Sequence, residues 1–438
     1  MPETKIALPR LDVRSLPGPE NILREVLPNG IVVLARENFS SPSVVVSGYV
    51  AVGALHEPDS QAGLANLTAS ALTRGTARRT FEAIYESIES IGASISFSAG
   101  KHSTSFHGKS LAEDLGVLLG ILAEVVREPT FPATEVDRLR AEKLTALAIR
   151  DQDTGSVAGL EFDGMVYGGH PYRVPAEGWR ETVETLTADD VTAFHRRTYG
   201  PRGLVLSVVG AVDRVSAVAA VDRALGDWAN SDQAAEPTLP ALGPILGIVR
   251  RERSLPGKSQ CDLVLGVAGP RRVDPDYLAA ALGNNVLGRF GMYGRIGDAV
   301  REAAGLAYYA YSALSGGPGP GPWSVLAGVN PANVDRAITL IRQEIGRFVT
   351  RKVSAEELRE NQANFIGRVP LQLESNEGVA SALVNIERYQ LGLDYYPRYP
   401  ERIAAISREA VLETARRFLN PDRLAIAVAG PPLKSAQE

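Results

Sequence analysis

Two side chains in the second half of the chain have the types and the spacing to act on a carbonyl group. Arg301 and Tyr308 lie in DAVREAAGLAYYAYSAL (298–314), which predicts a helix ending near Ala304, a turn at Gly305 and then a strand. Because the tight turn brings the helix end to the strand, a planar guanidinium and a phenol can jointly hold a peptide carbonyl or its developing oxyanion. The alternative is structural: an arginine that complements the helix dipole and a tyrosine packed on a sheet. Spacing alone favours that alternative.

Three positions in the first half have the spacing of a metal-binding motif without its residues. Positions 66, 69 and 70 share one face of a predicted helix, where a zinc hydrolase of the inverted type places His, Glu and His. This chain has Asn66, Ala69 and Ser70 instead. Amide and hydroxyl groups are poor zinc ligands, and alanine cannot accept a proton, so none of the three roles is filled. The residues alone favour a helix of small residues whose apolar side chains enter the core.

Other catalytic patterns are incomplete. If KHSTSFHG (101–108) is a strand, His102 and His107 point to opposite faces and cannot chelate one ion together. The chain has no G-x-S-x-G elbow, so a serine hydrolase of that type finds no support. The glycine-rich stretch SGGPGPGP (315–322) lacks the Lys-Ser/Thr of a phosphate-binding loop, and its prolines remove amide donors. We expect it to be a hairpin or flexible loop.

The composition is that of an ordinary globular chain. Hydrophobic residues make up 45% and charged residues 22% of 438 residues, which suggests roughly two to four domains. The net charge of -5 gives no basic footprint for nucleic acid, and no apolar run is long enough to cross a membrane. The single cysteine, Cys261, excludes an internal disulfide, and the first twenty residues lack the apolar stretch of an export signal. We therefore expect a cytoplasmic protein.

The two halves of the chain repeat each other. LTADDVTAFHRRTYGPRGLVLSVVG (186–210) aligns without a gap on ISREAVLETARRFLNPDRLAIAVAG (406–430), at an offset of 220 residues. Each copy predicts a helix opened by Thr or Ser, then a proline, and then an alternating apolar strand ending in glycine. Strands and helices come in groups within each half. We therefore expect the α+β class, with two homologous domains that are each a mainly antiparallel sheet covered by helices.

The composition also predicts where these domains begin and end. Residues 231–247 (SDQAAEPTLPALGPILG) are rich in proline and glycine and poor in charge, as is typical of a linker. We expect an N-terminal extension at 1–20, a first domain at 21–230, this linker, and a second domain at 248–438.

Taken in order, these stretches resemble the pitrilysin or insulinase-type zinc peptidase family. The likeness is to its bacterial two-domain members and their mitochondrial processing-peptidase relatives. LPNGIVVLARE (27–37) and VAVGALHEPDSQAGLANLTASALTRGT (50–76) resemble the family's opening strands and its His-x-x-Glu-His helix, with the following Gly75 and Thr76 retained. The resemblance makes both predicted domains peptidase-like, the first with a degenerate zinc motif.

Two later stretches extend the resemblance over nearly the whole chain. Residues 168–210, from GGHPYRVP to LSVVG, are similar to the end of the family's first domain. Residues 284–314, from NNVLGRFG to YYAYSAL, are similar to a segment of its second domain. That segment includes an Arg-x6-Tyr pair that helps to bind substrate at the zinc of the other domain, and this chain has Arg301 and Tyr308 at its positions.

The departures from the family pattern imply that the zinc chemistry is lost. Besides the motif positions, the family's third ligand, a glutamate, falls near Ala146 or Leu147. We therefore expect no bound metal, no cofactor and no catalytic residue in this chain alone. Some family members are heterodimers in which one subunit carries zinc and a motif-less partner supplies the Arg-Tyr pair, and this chain is similar to that partner.

The leading hypothesis is a non-catalytic subunit of a heterodimeric zinc endopeptidase, not expected to be active alone. In it, Arg301 and Tyr308 bind a peptide substrate at the zinc of a homologous partner subunit. A purely architectural protein and a homodimeric peptide-binding chamber are the alternatives. Neither a nucleic-acid nor a membrane partner is expected.

Overall fold

The first half of the chain forms a six-stranded sheet. A computed structural model of the protein describes residues 7–433, and its first sheet has the strand order β1-β2-β6-β3-β5-β4. The strands are β1 (Leu23–Val26), β2 (Val32–Glu37), β3 (Ser43–Val50), β4 (Ser94–Ala99), β5 (Thr104–Leu111) and β6 (Val205–Gly210). All neighbours are antiparallel except β2 and β6, which run parallel.

The second half forms a five-stranded sheet with the same pattern of connections. Its order is β7-β11-β8-β10-β9, and again only one neighbouring pair, β7 and β11, is parallel. The strands are β7 (Val249–Ser254), β8 (Cys261–Ala268), β9 (Ala307–Leu314), β10 (Pro322–Val329) and β11 (Ala425–Gly430). The prediction of an α+β protein with two similar, mainly antiparallel sheets is confirmed.

Fifteen α-helices within the described range cover the two sheets. Those of the first half are α1 (Leu64–Ala71), α2 (Phe81–Glu89), α3 (Leu115–Arg127), α4 (Ala133–Arg150), α5 (Thr154–Val166), α6 (Arg180–Val183), α7 (Ala188–Thr198) and α8 (Arg214–Leu225). Those of the second half are α9 (Tyr277–Gly288), α10 (Phe290–Gly297), α11 (Val334–Thr350), α12 (Ala355–Gln372), α13 (Asn376–Arg388), α14 (Tyr395–Ala404) and α15 (Arg408–Phe418).

The sequence repeat corresponds to equivalent elements in the two halves. Helices α7 and α15, and strands β6 and β11, begin and end at positions that differ by the same 220 residues. Thr187 and Ser407 cap the two helices by accepting backbone N–H groups three residues on. Only the first copy adds the reciprocal bond, from the Thr187 N–H to the Asp190 carboxylate at 2.9 Å, because the second copy has alanine there.

One helix of the first half covers a face of the second sheet. Helix α5 packs on β8 and β11, and its Val157, Ala158, Phe162 and Val166 form a buried cluster with the alanines of β11. These alanines, Ala425, Ala427 and Ala429, alternate with larger residues that face the helices of the second half. Because alanine has a short side chain, the helix can approach the strand closely.

One helix of the second half covers a face of the first sheet in the same way. Helix α13 packs on β3 and β6 of the first sheet, where Val379, Ala380 and Leu383 are buried against Val45 and Val209. The Ser207 hydroxyl in β6 donates to the Ala380 carbonyl at 3.0 Å, so the contact is also hydrogen-bonded. Each sheet therefore has one face covered by its own half and the other face covered by a helix from the opposite half.

The segments predicted to be an extension and a linker contain no helix or strand in their described residues. In the extension at 1–20, residues 1–6 lie outside the described residues, and Leu16 is buried beside Tyr395 and Tyr396 of α14. Residues 231–247 contain neither helix nor strand, and most of them are exposed. Residues 434–438, at the end of the predicted second domain, also lie outside the described residues. The predicted domain boundaries stay a prediction.

Limited proteolysis should cut first between Ser231 and Gly247, because backbone that is exposed and outside helices and strands is the easiest to cleave. The two fragments should elute together from a size-exclusion column, since α5 and α13 hold them to each other. They should separate only in denaturant. First cuts within α4, or fragments that part under native conditions, would contradict this account of the chain.

Candidate functional site

Helix α1 carries the three motif positions, and none of them presents a metal ligand. The Ser70 hydroxyl donates to the Asn66 backbone carbonyl at 3.0 Å, so it is turned back onto its own helix. Ala69 is 2% exposed and belongs to the core of the first half. The start of the helix is held by Glu57, whose carboxylate accepts the N–H groups of Gly63 at 2.8 Å and Ala65 at 2.7 Å. Burial raises the pKa of Glu57 to about 7.

The structure brings the first and third ligand positions to one cavity. A cavity of about 710 Å³ is lined by Asn66 from α1 and by Ala146 and Leu147 from α4. Leu147 is buried in the core of the first half, whereas Ala146 is exposed at the cavity. A glutamate that reached into this space would therefore have to stand at 146.

An ammonium group contacts the first of these positions. Lys143 lies on the same face of α4 as Ala146 and Leu147, three and four residues before them, and its Nζ donates a hydrogen bond to Asn66 Oδ1. A positive group in contact with the first ligand position opposes a second cation there. The residues present do not fit a zinc ion.

Other charged groups line the same cavity. Lys101 Nζ donates to the carbonyls of Tyr172 at 2.7 Å and Val174 at 2.5 Å. Burial lowers the pKa of Lys101 and of Lys143. Burial also raises the pKa of Asp163 to about 6, against the attraction of the Lys101 charge.

The histidines serve separate hydrogen bonds and do not form a centre. His107 on β5 contacts Ser47 Oγ at 2.9 Å, whereas His102 precedes the strand and contacts the Tyr172 hydroxyl. Buried His195 contacts the Val126 carbonyl at 2.9 Å. Across residues 7–433, no group of three or more His, Cys, Asp or Glu side chains is arranged to hold a metal ion.

The retained Gly75 and Thr76 have a structural role. Gly75 has a φ of 145°, a conformation that favours glycine. The Thr76 hydroxyl bonds the buried Glu124 carboxylate and accepts the Arg79 N–H at 3.0 Å. Arg79 pairs with the same carboxylate. This turn fixes the exit of α1 independently of any metal.

The Arg-Tyr pair lies at the edge of the second sheet. Arg301 belongs to a π-helical turn (Asp298–Glu302) that follows α10 and packs on β9, and Gly305 then reverses the chain with a φ of 62°. The helical segment thus ends slightly earlier than the predicted Ala304. Arg301 pairs with the adjacent Glu302 at 3.4 Å.

Tyr308 is almost fully exposed. It is 84% exposed on β9, the edge strand, and it lies where the register with β10 shifts, because Ala307 pairs with Val329 but Tyr309 pairs with Gly328. Tyr308 is therefore the extra residue of a β-bulge, and bulges re-aim side chains.

The neighbouring tyrosine, Tyr309, has a different role. Tyr309 donates its hydroxyl to Asp262 Oδ1 at 2.6 Å, and the other oxygen of that carboxylate accepts from Thr154 of α5. This contact ties the two halves together. The sequence carried no signal for it, because these residues are far apart along the chain.

Comparisons with known proteins agree with this fold. Residues 32–154 match the profile of the insulinase family, peptidase family M16, and residues 185–365 match the profile of the peptidase M16 inactive domain. An uncharacterized zinc protease of Mycobacterium leprae is 27% identical over 414 residues, covering 94% of this chain and 92% of that protein. One of Streptomyces coelicolor is 27% identical over 426 residues, covering 96% and 92%.

Solved structures show the same similarity in three dimensions. The peptidase M16 inactive domain from Pseudomonas fluorescens superposes with a TM-score of 0.85 at 26% identity, covering 95% of this chain and all of that one (100%). A protease from Helicobacter pylori has a TM-score of 0.86 at 18% identity, with the same coverage (95% and 100%), and supports the fold alone. The chain belongs to the insulinase family, peptidase family M16. In the described part of this member, no helix has both the length and the apolar composition to cross a membrane.

Restoring the motif should give only a weak zinc site. Asn66→His, Ala69→Glu and Ser70→His supply two ligands and a base, but the third ligand is missing and the Lys143 ammonium remains beside the site. Adding Ala146→Glu and Lys143→Met supplies the third ligand and removes the competing charge. Zinc binding should tighten by at least about ten- to a hundredfold, because the loss of a mere outer-shell contact already weakens metal sites by that factor. Zinc titration with a competing chelator measures this. Equal affinity of the three- and five-substitution variants would contradict the placement of Lys143 and Ala146.

Asp163→Asn should change how stability depends on pH. The folded pKa of Asp163 is about 6, above the ordinary value of 3.8, so between these values the folded state holds more protons than the unfolded state. The free energy of unfolding therefore falls as pH rises through this window, and the loss is complete above it. The variant lacks this loss, so its Tm should exceed that of the wild type by a few degrees at pH 7.5 and by nothing at pH 3.5. A pH-independent difference between the two proteins would count against the buried carboxylate.

Proposed function

We propose that this chain is the non-catalytic subunit of a heterodimeric zinc metallopeptidase. It places Arg301 and Tyr308 at the zinc site of a homologous partner chain and forms half of a chamber that encloses the peptide. The observation that carries the proposal is Tyr308, which is 84% exposed at a bulge beside the helical turn of Arg301. A large aromatic residue in this position makes little contact within its own chain.

The pair supplies hydrogen-bond donors for a carbonyl that acquires negative charge. Zinc in the partner would activate water and polarise the scissile carbonyl. Arg301 presents a permanently charged planar group. Tyr308 presents a phenolic O–H on a side chain that is exposed to solvent. Fixed donors act most strongly on the charge that develops in the transition state, and they do so without binding metal.

The first sheet supports a peptide as the substrate. Strand β4 is the outer strand of that sheet, so one side of its backbone has no neighbouring strand in the described part of the chain. It packs beside α1, which carries the motif positions. An extended peptide can add to such an edge through main-chain hydrogen bonds.

The proposal includes a cytoplasmic location for the assembled enzyme. The one cysteine, Cys261, is buried in β8 and cannot form a disulfide within the chain. A chain whose fold uses no disulfide is compatible with a reducing compartment.

Arg301→Ala and Tyr308→Phe should each slow peptide cleavage by about 10² to 10³ when the variant is assembled with its zinc-bearing partner, the usual cost of one transition-state donor. Arg301→Lys should be as slow, since a point charge does not reproduce the planar fork. The partner is found by copurification from the native host, as a chain with an intact His-x-x-Glu-His. Turnover of a fluorogenic peptide by the reconstituted pair is the measurement.

Matched controls are available elsewhere on the surface. Arg336→Ala on α11 and Tyr85→Phe on α2 change an exposed arginine and an exposed tyrosine, and both should leave turnover unchanged. Zinc content and complex formation should be the same for all variants. If the Arg301 and Tyr308 variants keep full activity in a complex that assembles normally, the chain is architectural.

A further inference from the structure

The cavity lined by Asn66, Ala146 and Leu147 contains two partly buried ammonium groups that no carboxylate contacts. Lys143 and Lys101 are each partly buried, and in residues 7–433 no carboxylate lies within 4.0 Å of either Nζ. Their hydrogen bonds go to neutral acceptors, the Asn66 amide and two backbone carbonyls. Glu177 attracts both ammonium groups, but only from beyond contact distance. A partly buried charge without a contacting counter-ion has lost some hydration at a cost in free energy, so this arrangement favours an anion from outside the chain.

The third cation of the cavity is already satisfied. Arg150 contacts the Asp151 carboxylate at 3.0 Å and donates to the Gly178 carbonyl at 2.9 Å, and its guanidinium lies over the Trp179 ring. The two lysines, in contrast, each have three N–H donors, of which Lys143 gives one to Asn66 and Lys101 gives two to carbonyls. Donors are left for a ligand in the cavity.

The residues that line the cavity limit what that ligand can be. Apolar side chains form much of the wall: Ala146, Leu147, Leu160, Pro175 and Ala176. Asp163 and Glu177 also line the cavity, so a doubly charged phosphate would meet two carboxylates. A singly charged carboxylate attached to an apolar group suits this lining better.

The position of the cavity favours a peptide as the carrier of that carboxylate. Gly100 and Lys101, which line it, directly follow β4, the strand with the free edge. A peptide that pairs with this edge in extended form reaches the cavity at the end of the strand. Its positive N-terminus would be repelled by the two lysines, whereas a carboxylate would be attracted.

We infer that this cavity is a carboxylate-binding site for peptides, in which Lys143 and Lys101 hold the anionic group. The site lies within this chain and requires neither a partner nor zinc, so it goes beyond the proposed role of Arg301 and Tyr308. In place of a metal that polarises a carbonyl, the chain offers ammonium groups that retain a charged end or side chain.

The test uses the purified full chain alone and fluorescein-labelled hexapeptides in an anisotropy titration. Ala-Gly-Ala-Gly-Ala-Leu with a free C-terminal carboxylate should bind about tenfold or more tightly than the same peptide as an amide, as expected for a hydrogen bond to a charged group. A third peptide, amidated but with an internal Glu, distinguishes a side-chain carboxylate from a C-terminal one. Binding of either acid more tightly than the plain amide supports the site.

Two substitutions should move the affinity in opposite directions. Lys143→Met keeps the length of the side chain and removes the charge, so it should abolish most of the preference for the acid. Asp163→Asn removes a carboxylate that lines the cavity and should tighten binding of the acid at pH 7.5. Lys352→Met changes an exposed lysine paired with Glu409 in the second half and should have no effect. Circular dichroism and Tm establish that each variant is folded.

Either of two results overturns the inference. One is equal binding of both acids and the amide by the wild-type chain. The other is an acid preference that Lys143→Met leaves unchanged in a folded variant. Because no partner or zinc is present, neither result bears on whether Arg301 and Tyr308 assist a partner's zinc site.

Discussion

The reciprocal packing of α5 and α13 is the contact on which the rest of the molecule depends. Each sheet has two apolar faces, and the half that builds the sheet covers only one of them. The other is covered chiefly by one helix from the opposite half, which buries residues such as Phe162 and Leu383. Removal of one large buried side chain of this kind commonly costs about 2 to 5 kcal/mol. The two halves are thereby fixed to each other, and so are the cavity beside α4 and the edge strand that carries Tyr308.

Within this frame, the three motif positions of α1 make contacts that need no metal. Ser70 is bonded to its own helix, Ala69 fills the core, and the side chain of Asn66 is engaged by Lys143. The scaffold around them is kept by contacts that never involved metal, above all the bonds of Thr76 and Arg79 to Glu124. Helix α1 is therefore held in place without a metal ion.

Local and repeated features of the fold could be predicted from the sequence. The repeat at a fixed offset predicted a capped helix followed by a strand ending in glycine in each half, and α7, β6, α15 and β11 are these elements. Capping residues and alternating apolar positions act over short distances, which is why they could be predicted. The exchange of α5 and α13 could not be predicted, because both read as ordinary amphipathic or apolar helices whose partners are set by tertiary packing. The bulge at Tyr308 depends on the register with β10, the next strand, which begins after the loop at 315–321. The contact between Lys143 and Asn66 depends on how α4 crosses α1, which the sequence does not reveal. The spacing of three or four residues did indicate that Lys143 shares a helix face with positions 146 and 147.

The helix exchange also sets an order of events during synthesis. The last strand of the first sheet, β6, ends at Gly210, but the helix that covers its outer face is complete only at Arg388. At ordinary translation speeds the ribosome needs roughly 10 to 40 seconds to add the residues between them. For that time Val45 and Val209 belong to a sheet face without its native cover. A nascent chain of this protein is therefore a natural client for chaperones until its second half has emerged.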